Sequence, residues 1–391
     1  MWKRESQQKL RRIMKLFPCA CILGARQVGK TTLAKAAFPR AKYFDLESPA
    51  VRNRIRIAPE SFLKEQQGPI ILDEIQFLPE LWEHLKVEID SRRNVKGRFL
   101  VLGSAHPDLI RGASETLAGR IGFLDLDPLI PLETGTGKPR LTLEETWLRG
   151  GYPETAKMKA GLGRTLWMES YIRTFIERDL PGAGVESNPV LMRKLLSMIA
   201  HVHGGIWNSS QLAASAGVSY HTVNRYLDIL EQSFLVRRLQ PYFVNIGKRL
   251  VKSPKIYLRD SGLYHHLLGI RSKEDLLNSP QSGASWEGFL IETIIRHAHT
   301  ESPGTTAYFY RTQAGLETDL LLQSGRNIVA VEIKFGTRME KRWIENLKAV
   351  MTDVGAVKGA ILYSGEETFA IDDNVKVYSA RDKAYLKGVL P

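Results

Sequence analysis

Short apolar runs dominate the first third of the chain. They fall at 19–24 (CACILG), 42–47 (KYFDLE), 68–76 (GPIILDEIQ), 98–104 (RFLVLGS) and 117–126 (LAGRIGFLDL). Runs this short and this apolar predict strands buried on both faces, the habit of a parallel sheet with helices between its strands. From about 144 to 200 the pattern turns helical, with an amphipathic stretch at 167–180 (WMESYIRTFIERDL). Two short helices follow within 208–242, then the strand-like runs FLVRRL and PKIYLR. Near the end, 282–295 (SGASWEGFLIETII) reads as a helix and 316–335 (LETDLLLQSGRNIVAVEIKF) as a hairpin. Its second strand puts Val329, Val331, Ile333 and Phe335 on one face. Glu332 and Lys334 share the other, an acid and a base on an otherwise apolar strand.

At 391 residues the chain exceeds one ordinary core. Hydrophobic content of 43% and charged content of 25% are those of a globular protein. The formal net charge of +13 favours a polyanionic partner. Two cysteines, Cys19 and Cys21, make neither a metal set nor a disulfide framework, and read as packing residues of a reduced, cytoplasmic protein. No apolar run approaches the ~20 residues that span a bilayer, so no integral membrane association is expected. The basic start, MWKRESQQKLRRIMKLF, predicts a helix packed on the first domain and lacks the apolar centre of a signal peptide.

The chemistry begins at GARQVGKTTL. From Gly24 to Thr31 it spells G-x-x-x-x-G-K-T, between a strand and a helix. The backbone of Gly24, Ala25, Arg26, Gln27, Val28, Gly29, Lys30, Thr31 and Thr32 would cradle the phosphates of ATP. Lys30 reaches the β- and γ-phosphates, and Thr31 places a hydroxyl on Mg²⁺. The strand at 68–76 ends in Asp73-Glu74. Asp73 can hold Mg²⁺, and Glu74 can polarise the attacking water. An extra strand between the loop and this acidic pair resembles the AAA-type branch of P-loop ATPases. The resemblance implies that Ser104 senses the γ-phosphate, with turn chemistry as its alternative. It implies that Arg120 acts on the nucleotide of a neighbouring subunit, hence a homo-oligomer; a surface salt bridge is the alternative. The stretch after 144 resembles the helical lid of that branch.

In 208–242, Ser209 or Ser210 can cap a first helix, Gly217 supplies the turn, and Ser219 caps a second. This spacing is a helix-turn-helix, and the two strand-like runs read as a wing. Tyr220, His221, Asn224 and Arg225 would project from the second helix, with Lys248, Arg249, Lys252 and Lys255 near the wing. Duplex DNA is one partner for such a surface and protein packing the other.

In the C-terminal hairpin, a loop of Ser324 to Asn327 sets Gln323 opposite Ile328. Asp319 then lies opposite Glu332, and Glu317 opposite Lys334, about 5 Å apart. A divalent cation would relieve that crowding. The D…E-x-K set resembles the motif of the PD-(D/E)xK nuclease superfamily, which has the restriction-endonuclease fold. That resemblance makes Asp319 and Glu332 metal ligands and Lys334 the residue that positions water. Glu287 from the preceding helix would be a further ligand, with Glu292 a poorer candidate, and Arg311 would meet a phosphate. A charge-paired structural site in an inactive nuclease fold is the alternative.

Together RQVGKTTL, ILDEIQFLPEL, GGYPE, SPKIYLRDSGL, GASWEGFLIE, YRTQAGLETD and VEIKFG resemble a group of prokaryotic AAA-like ATPases with a C-terminal nuclease-like domain of unknown function. The expected α/β architecture is an AAA-type P-loop core at 1–143, a helical lid at 144–200, a winged helix-turn-helix at 201–275 and a restriction-endonuclease-like domain at 276–391. The expected function is a Mg²⁺-dependent ATPase acting on or with DNA. Two alternatives stand beside it: a nucleotide-dependent switch with an inactive nuclease fold that binds DNA or a partner protein, and a protein-remodelling ATPase.

Overall fold

Five parallel strands form the first sheet, in the order β2-β3-β4-β1-β5. They are β1 (Cys19–Gly24), β2 (Lys42–Asp45), β3 (Ile70–Asp73), β4 (Phe99–Ser104) and β5 (Ile121–Asp125). The computed structural model describes residues 2–104, 116–182, 184–243 and 250–391, and of Ser104 only the backbone. One face of the sheet, with Ala20, Ile22, Leu100 and Leu124, packs against the helices Ser6–Leu16 and Lys30–Ala37. The other face, with Cys21, Leu23, Leu72 and Val101, packs against the helix Leu81–Ser91. Burial on both faces explains the unbroken apolar runs. The N-terminal helix does lie on this domain, burying Leu10, Ile13 and Met14. Cys19 and Cys21 are buried free thiols.

Helices fill the next segment, and two of them form the pair read from spacing. Gly217, at φ 73°, ends the helix Ser209–Ala216 in the left-handed region that a Cβ disfavours. Ser219 caps the helix Tyr220–Gln232, which buries Val223, Tyr226, Leu227 and Leu230. The first of the pair is capped by Asn208, whose side chain accepts from the Gln211 amide, rather than by Ser209 or Ser210. Asn one position earlier offers the same acceptor, so the helix starts at the serines.

A second sheet runs β12-β13-β11-β10-β9-β8-β6-β7. Its strands are β6 (Val236–Pro241), β7 (Lys255–Leu258), β8 (Thr306–Arg311), β9 (Glu317–Ser324), β10 (Asn327–Lys334), β11 (Lys358–Tyr363), β12 (Phe369–Ala370) and β13 (Val375–Ser379). The strands expected to form a separate wing, β6 and β7, are the edge of this sheet: β6 pairs antiparallel with β7 and parallel with β8. The sheet therefore crosses the division expected at 275/276. Gln323 does pair with Ile328, and the ladder continues to Ser324–Asn327, which leaves Gly325-Arg326 as the turn. The helix Ser282–Glu301 covers one face through Trp286, Leu290, Ile291 and Ile294, against Val329, Val331 and Ile333. The helix Lys341–Val354 covers the other. Among the described residues no helix is long and apolar enough to cross a membrane.

One buried carboxylate joins these parts. Glu292, 2% exposed, meets Arg237 of β6, Arg259 just after β7 and Arg296 of its own helix. Arg259 also pairs with Asp127, just beyond β5. Beside it, Asp260 accepts from the Gly151 amide at 2.7 Å and from the Leu263 amide at 2.8 Å. Glu292, the poorer metal candidate, is thus a clamp between segments. Burial raises its carboxyl pKa, but the arginines outweigh that and hold it far below the usual carboxylate range.

A depressed pKa makes the contribution complete above the unfolded value near 4.3 and lost as pH falls below it. Glu292→Gln is expected to cost roughly 3–5 kcal/mol by leaving buried arginines short of charge. It is also expected to flatten the loss of stability between pH 5 and about 3. Denaturant titrations of both proteins across that range check the two effects.

Candidate nucleotide site and the acid cluster of the second sheet

The phosphate loop leaves the end of β1 and enters the helix Lys30–Ala37. Gln27 (φ 62°) and Gly29 (φ 98°) take left-handed conformations, which turn successive amides toward one concavity. Gly24 is required for a different reason: a Cβ there would lie 2.2 Å from the Leu126 carbonyl oxygen. Lys30 is buried and donates from Nζ to the Gly24 and Ala25 carbonyls, each at 3.1 Å. Burial lowers its pKa, and Glu74 and Asp73 oppose that shift.

Thr31 donates to Asp73 Oδ2 at 2.6 Å, and Tyr43 donates to the same oxygen at 2.9 Å. Burial raises the Asp73 pKa while these two hydroxyls hold it down. Glu74 has φ 56°, a strained backbone for a residue with a Cβ, and its amide donates to Asp73 Oδ1 at 3.0 Å. Gln76 donates to the Glu74 carboxylate. A cavity of about 950 Å³ opens over the loop, bounded by Lys30, Thr31, Thr32 and Glu74 and by Pro153 and Trp167 of the helical segment.

These residues fit a Mg²⁺-bound nucleotide. The cationic Lys30, the converging loop amides and the hydroxyl–carboxylate pair Thr31–Asp73 border a cavity of that size. Lys30 and the amides would hold phosphate oxygens, and Thr31 and Asp73 would hold the metal, which supplies charge neutralisation and a Lewis acid.

Two partners of the loop carried no signal in the sequence. Arg4, from before the first helix, donates to the Val28 carbonyl at 2.9 Å and to Glu133 at 3.1 Å. Arg26 pairs with Asp179, and Arg178 with Glu47. Arg178 and Asp179 sit in a π-helical turn, Phe175–Asp179, a wider turn that often marks functional positions. A helical wheel drawn at 3.6 residues per turn misplaces them.

Arg120 chelates Asp90, with Nε to Oδ1 at 2.6 Å and an Nη2 contact of 3.1 Å to Oδ2. It precedes β5, whose Ile121 pairs with Cys19 at the start of β1. The phosphate loop lies at the other end of β1, roughly 17 Å away at about 3.3 Å per residue. Within one chain Arg120 is therefore a surface ion pair. The side chain of Ser104 lies outside what the structure describes, as do Lys248 and Arg249.

In the second sheet the ladder between β9 and β10 ends at Leu320–Val331. Beyond it, side chains take over: Asp319 Oδ2 accepts from the Ile333 amide at 2.8 Å, and Thr318 donates to the Val331 carbonyl at 3.1 Å. Glu332 is 2.6 Å from Lys334, and Asp319 is 3.5 Å from it. Burial and Asp319 push the Glu332 carboxyl up to about 8, against the pull of Lys334. Glu287 accepts from Tyr257 at 2.6 Å and from Lys255 at 3.2 Å. Lys255 is buried, so it belongs to this cluster and not to a basic outer surface. Burial opposes its charge, but Glu287, Tyr257, Asp319 and Glu317 together hold its pKa well above the ordinary value. Arg311 pairs with Glu317 at 3.1 Å. In the two-helix segment, Asn224 accepts from Trp207, and Arg225 donates to the Glu186 carbonyl. Tyr220 and His221 lie with ring centroids 3.9 Å apart and planes tilted by 33°, and both are exposed.

A parallel α/β sheet with this loop and acidic pair defines an AAA-type P-loop domain, and residues 17–134 match the family model described as AAA domain. Residues 140–274 and 282–382 match two others, Domain of unknown function (DUF8612) and Domain of unknown function (DUF4143). The chain is 38% identical over 376 residues to Uncharacterized protein Rv2008c of Mycobacterium tuberculosis, covering 95% of this chain and 82% of that protein. Uncharacterized protein Mb2031c of Mycobacterium bovis matches with the same figures. The chain belongs to the family of these two proteins. Among solved structures, the Walker-type ATPase PABY2304 of Pyrococcus abyssi is similar at 16% identity and a TM-score of 0.45, covering 68% of this chain and 95% of that one.

Gly24→Ala is expected to destabilise the protein by about 1–3 kcal/mol, because the added methyl must push the loop from the Leu126 carbonyl. Thermal unfolding checks the stability change, and nucleotide binding measured below the onset of unfolding should weaken with it.

Proposed function

We propose that this protein is a Mg²⁺-dependent ATPase that acts with DNA. The observation that carries the first half is the shared contact of Thr31 and Asp73 beside the buried Lys30, with Glu74 at the rim of the same cavity. Glu74 is the group that would take a proton from water as it attacks the terminal phosphate. Its backbone strain and its bond from Gln76 fix the direction of the carboxylate. Arg178 and Asp179 bring the helical segment against the loop and against Glu47 just beyond β2, so the lid can register what the loop holds.

The DNA half draws on the net charge of +13 and on the two-helix segment, read as a helix-turn-helix with Tyr220 and His221 at the open start of its second helix. Lys252 is exposed nearby. We read the second sheet with its two covering helices as a nuclease-type fold. A homo-oligomer in which Arg120 leaves Asp90 for a neighbour's nucleotide would complete the hydrolytic site.

Purified protein tests the reading directly. Lys30→Ala should lose ATP binding. Glu74→Gln should bind ATP as the wild type does and hydrolyse it roughly 10²–10⁴-fold more slowly, the weight of a general base. Normal hydrolysis by Glu74→Gln would remove that role. Duplex DNA should bind with an affinity that falls steeply as salt rises, since released counterions drive the contact. Intact ATPase activity with no DNA binding even at low salt would favour a protein-remodelling role instead.

A further inference from the structure

The acids of the second sheet already contain a cation. Lys255 Nζ lies 2.6 Å from Glu317 Oε1, 3.2 Å from Glu287 Oε1 and 3.9 Å from Asp319 Oδ1. Its side chain is 4% exposed. Tyr257, one strand period along β7, donates to the same Glu287 oxygen at 2.6 Å. On the other side Lys334 is 2.6 Å from Glu332 and 3.5 Å from Asp319, and Arg311 holds the second oxygen of Glu317 at 3.1 Å. Glu287, Glu317, Asp319 and Glu332 thus face Lys255, Lys334 and Arg311. Among the described residues no group of three His, Cys, Asp or Glu side chains is placed to hold a metal ion. The residues present do not fit a divalent cation as the cluster stands.

We propose that Lys255 is the resident cation of this cluster, occupying the position between Glu287, Glu317 and Asp319 that a divalent ion would take. The cluster's acids are then partnered by the chain's own bases, and with the lysine in the place of a metal it does not cut nucleic acid in this conformation. Geometry makes the substitution specific. Lys255 and Tyr257 alternate with Ile256, which is buried in the opposite core, so β7 presents both polar groups to the acids together. The lysine comes from the segment that also carries Arg259 and Asp260, so the cluster holds the edge strand to the sheet and to the helix Ser282–Glu301. The inference concerns this cluster alone and is independent of ATP hydrolysis.

Mn²⁺ uptake by the full chain without nucleotide, followed by electron paramagnetic resonance, tests it. Wild type should take up no Mn²⁺ at micromolar concentrations that Asp319→Asn would abolish. Lys255→Met keeps the length and removes the charge, leaving three carboxylates facing one another. It should gain one Mn²⁺ site per chain, lost again in Lys255→Met/Asp319→Asn. Wild-type uptake that disappears in Asp319→Asn would overturn the proposal, because the metal would then displace the lysine. A folded Lys255→Met that takes up no Mn²⁺ would overturn it too. Should Lys255→Met fail to fold, the comparison of wild type with Asp319→Asn still decides.

Discussion

Glu292 is the point on which the rest of the molecule is organised. A carboxylate on an internal helix face is costly unless its charge is met, and here three guanidinium groups meet it. The arginines come from β6, from the end of β7 and from the same helix. None of those elements can move away without stranding a buried charge. Arg259 extends the network to Asp127, which follows the last strand of the AAA-type sheet. Hydrophobic cores on either side supply the bulk of the stability, but they are tolerant of sliding. The ionic junction fixes how the cores are set against one another.

The same junction lies close to the phosphate loop. The Asp127 carbonyl accepts from Arg4, which also holds the Val28 carbonyl inside the loop. Leu126, one residue earlier, is the backbone that requires Gly24 to be glycine. A contiguous set of contacts therefore runs from the helix Ser282–Glu301 through Arg259, Asp127 and Arg4 to Val28. On the opposite side of the loop, Arg26 joins Asp179 of the helical segment. The loop is thus braced from two directions by charged side chains from other parts of the chain. Charged braces respond to a new charge nearby more strongly than apolar packing does, which suits a site that would receive a polyphosphate.

Much of this was legible in local pattern. The five strands, the phosphate loop, the Asp73-Glu74 pair, the two-helix turn at Gly217 and the β9–β10 register all follow from short-range spacing. In each case the signal and the structure occupy the same few residues. What could not be read was set by distant pairing. Lys255 looks like a surface base in PKIYLR, because nothing nearby in sequence shows that Glu287, Glu317 and Asp319 surround it. The clamp at Glu292 is hidden for the same reason: two of its three arginines lie 33 and 55 residues away. Arg178 and Asp179 escaped notice because a π-turn shifts them off the α-helical wheel. That β6 also joins β8 was hidden as well, because a strand's second neighbour leaves no mark on the strand itself.

The distribution of charge also changes what +13 means. Composition counts every arginine alike, but Arg4, Arg237, Arg259, Arg296 and Lys255 are spent on interior carboxylates and carbonyls. Arg238 is spent on Asp228 and Glu231 at the surface of the two-helix segment. The bases that remain in solvent include Arg11, Arg12 and Lys15 on the first helix and Arg92, Arg93 and Lys96 after the helix Leu81–Ser91. These two stretches are neighbours: the Gly97 amide donates to the Phe17 carbonyl, and the Arg98 amide to that of Pro18. They lie at the end of the first sheet where β1 and β4 begin, the end that also carries Arg120. Six exposed bases therefore gather at the pole of the AAA-type domain opposite its phosphate loop. The two-helix segment presents the exposed Tyr220–His221 pair, while its Arg225 is held by the Glu186 carbonyl and the neighbouring Arg238 by Asp228 and Glu231.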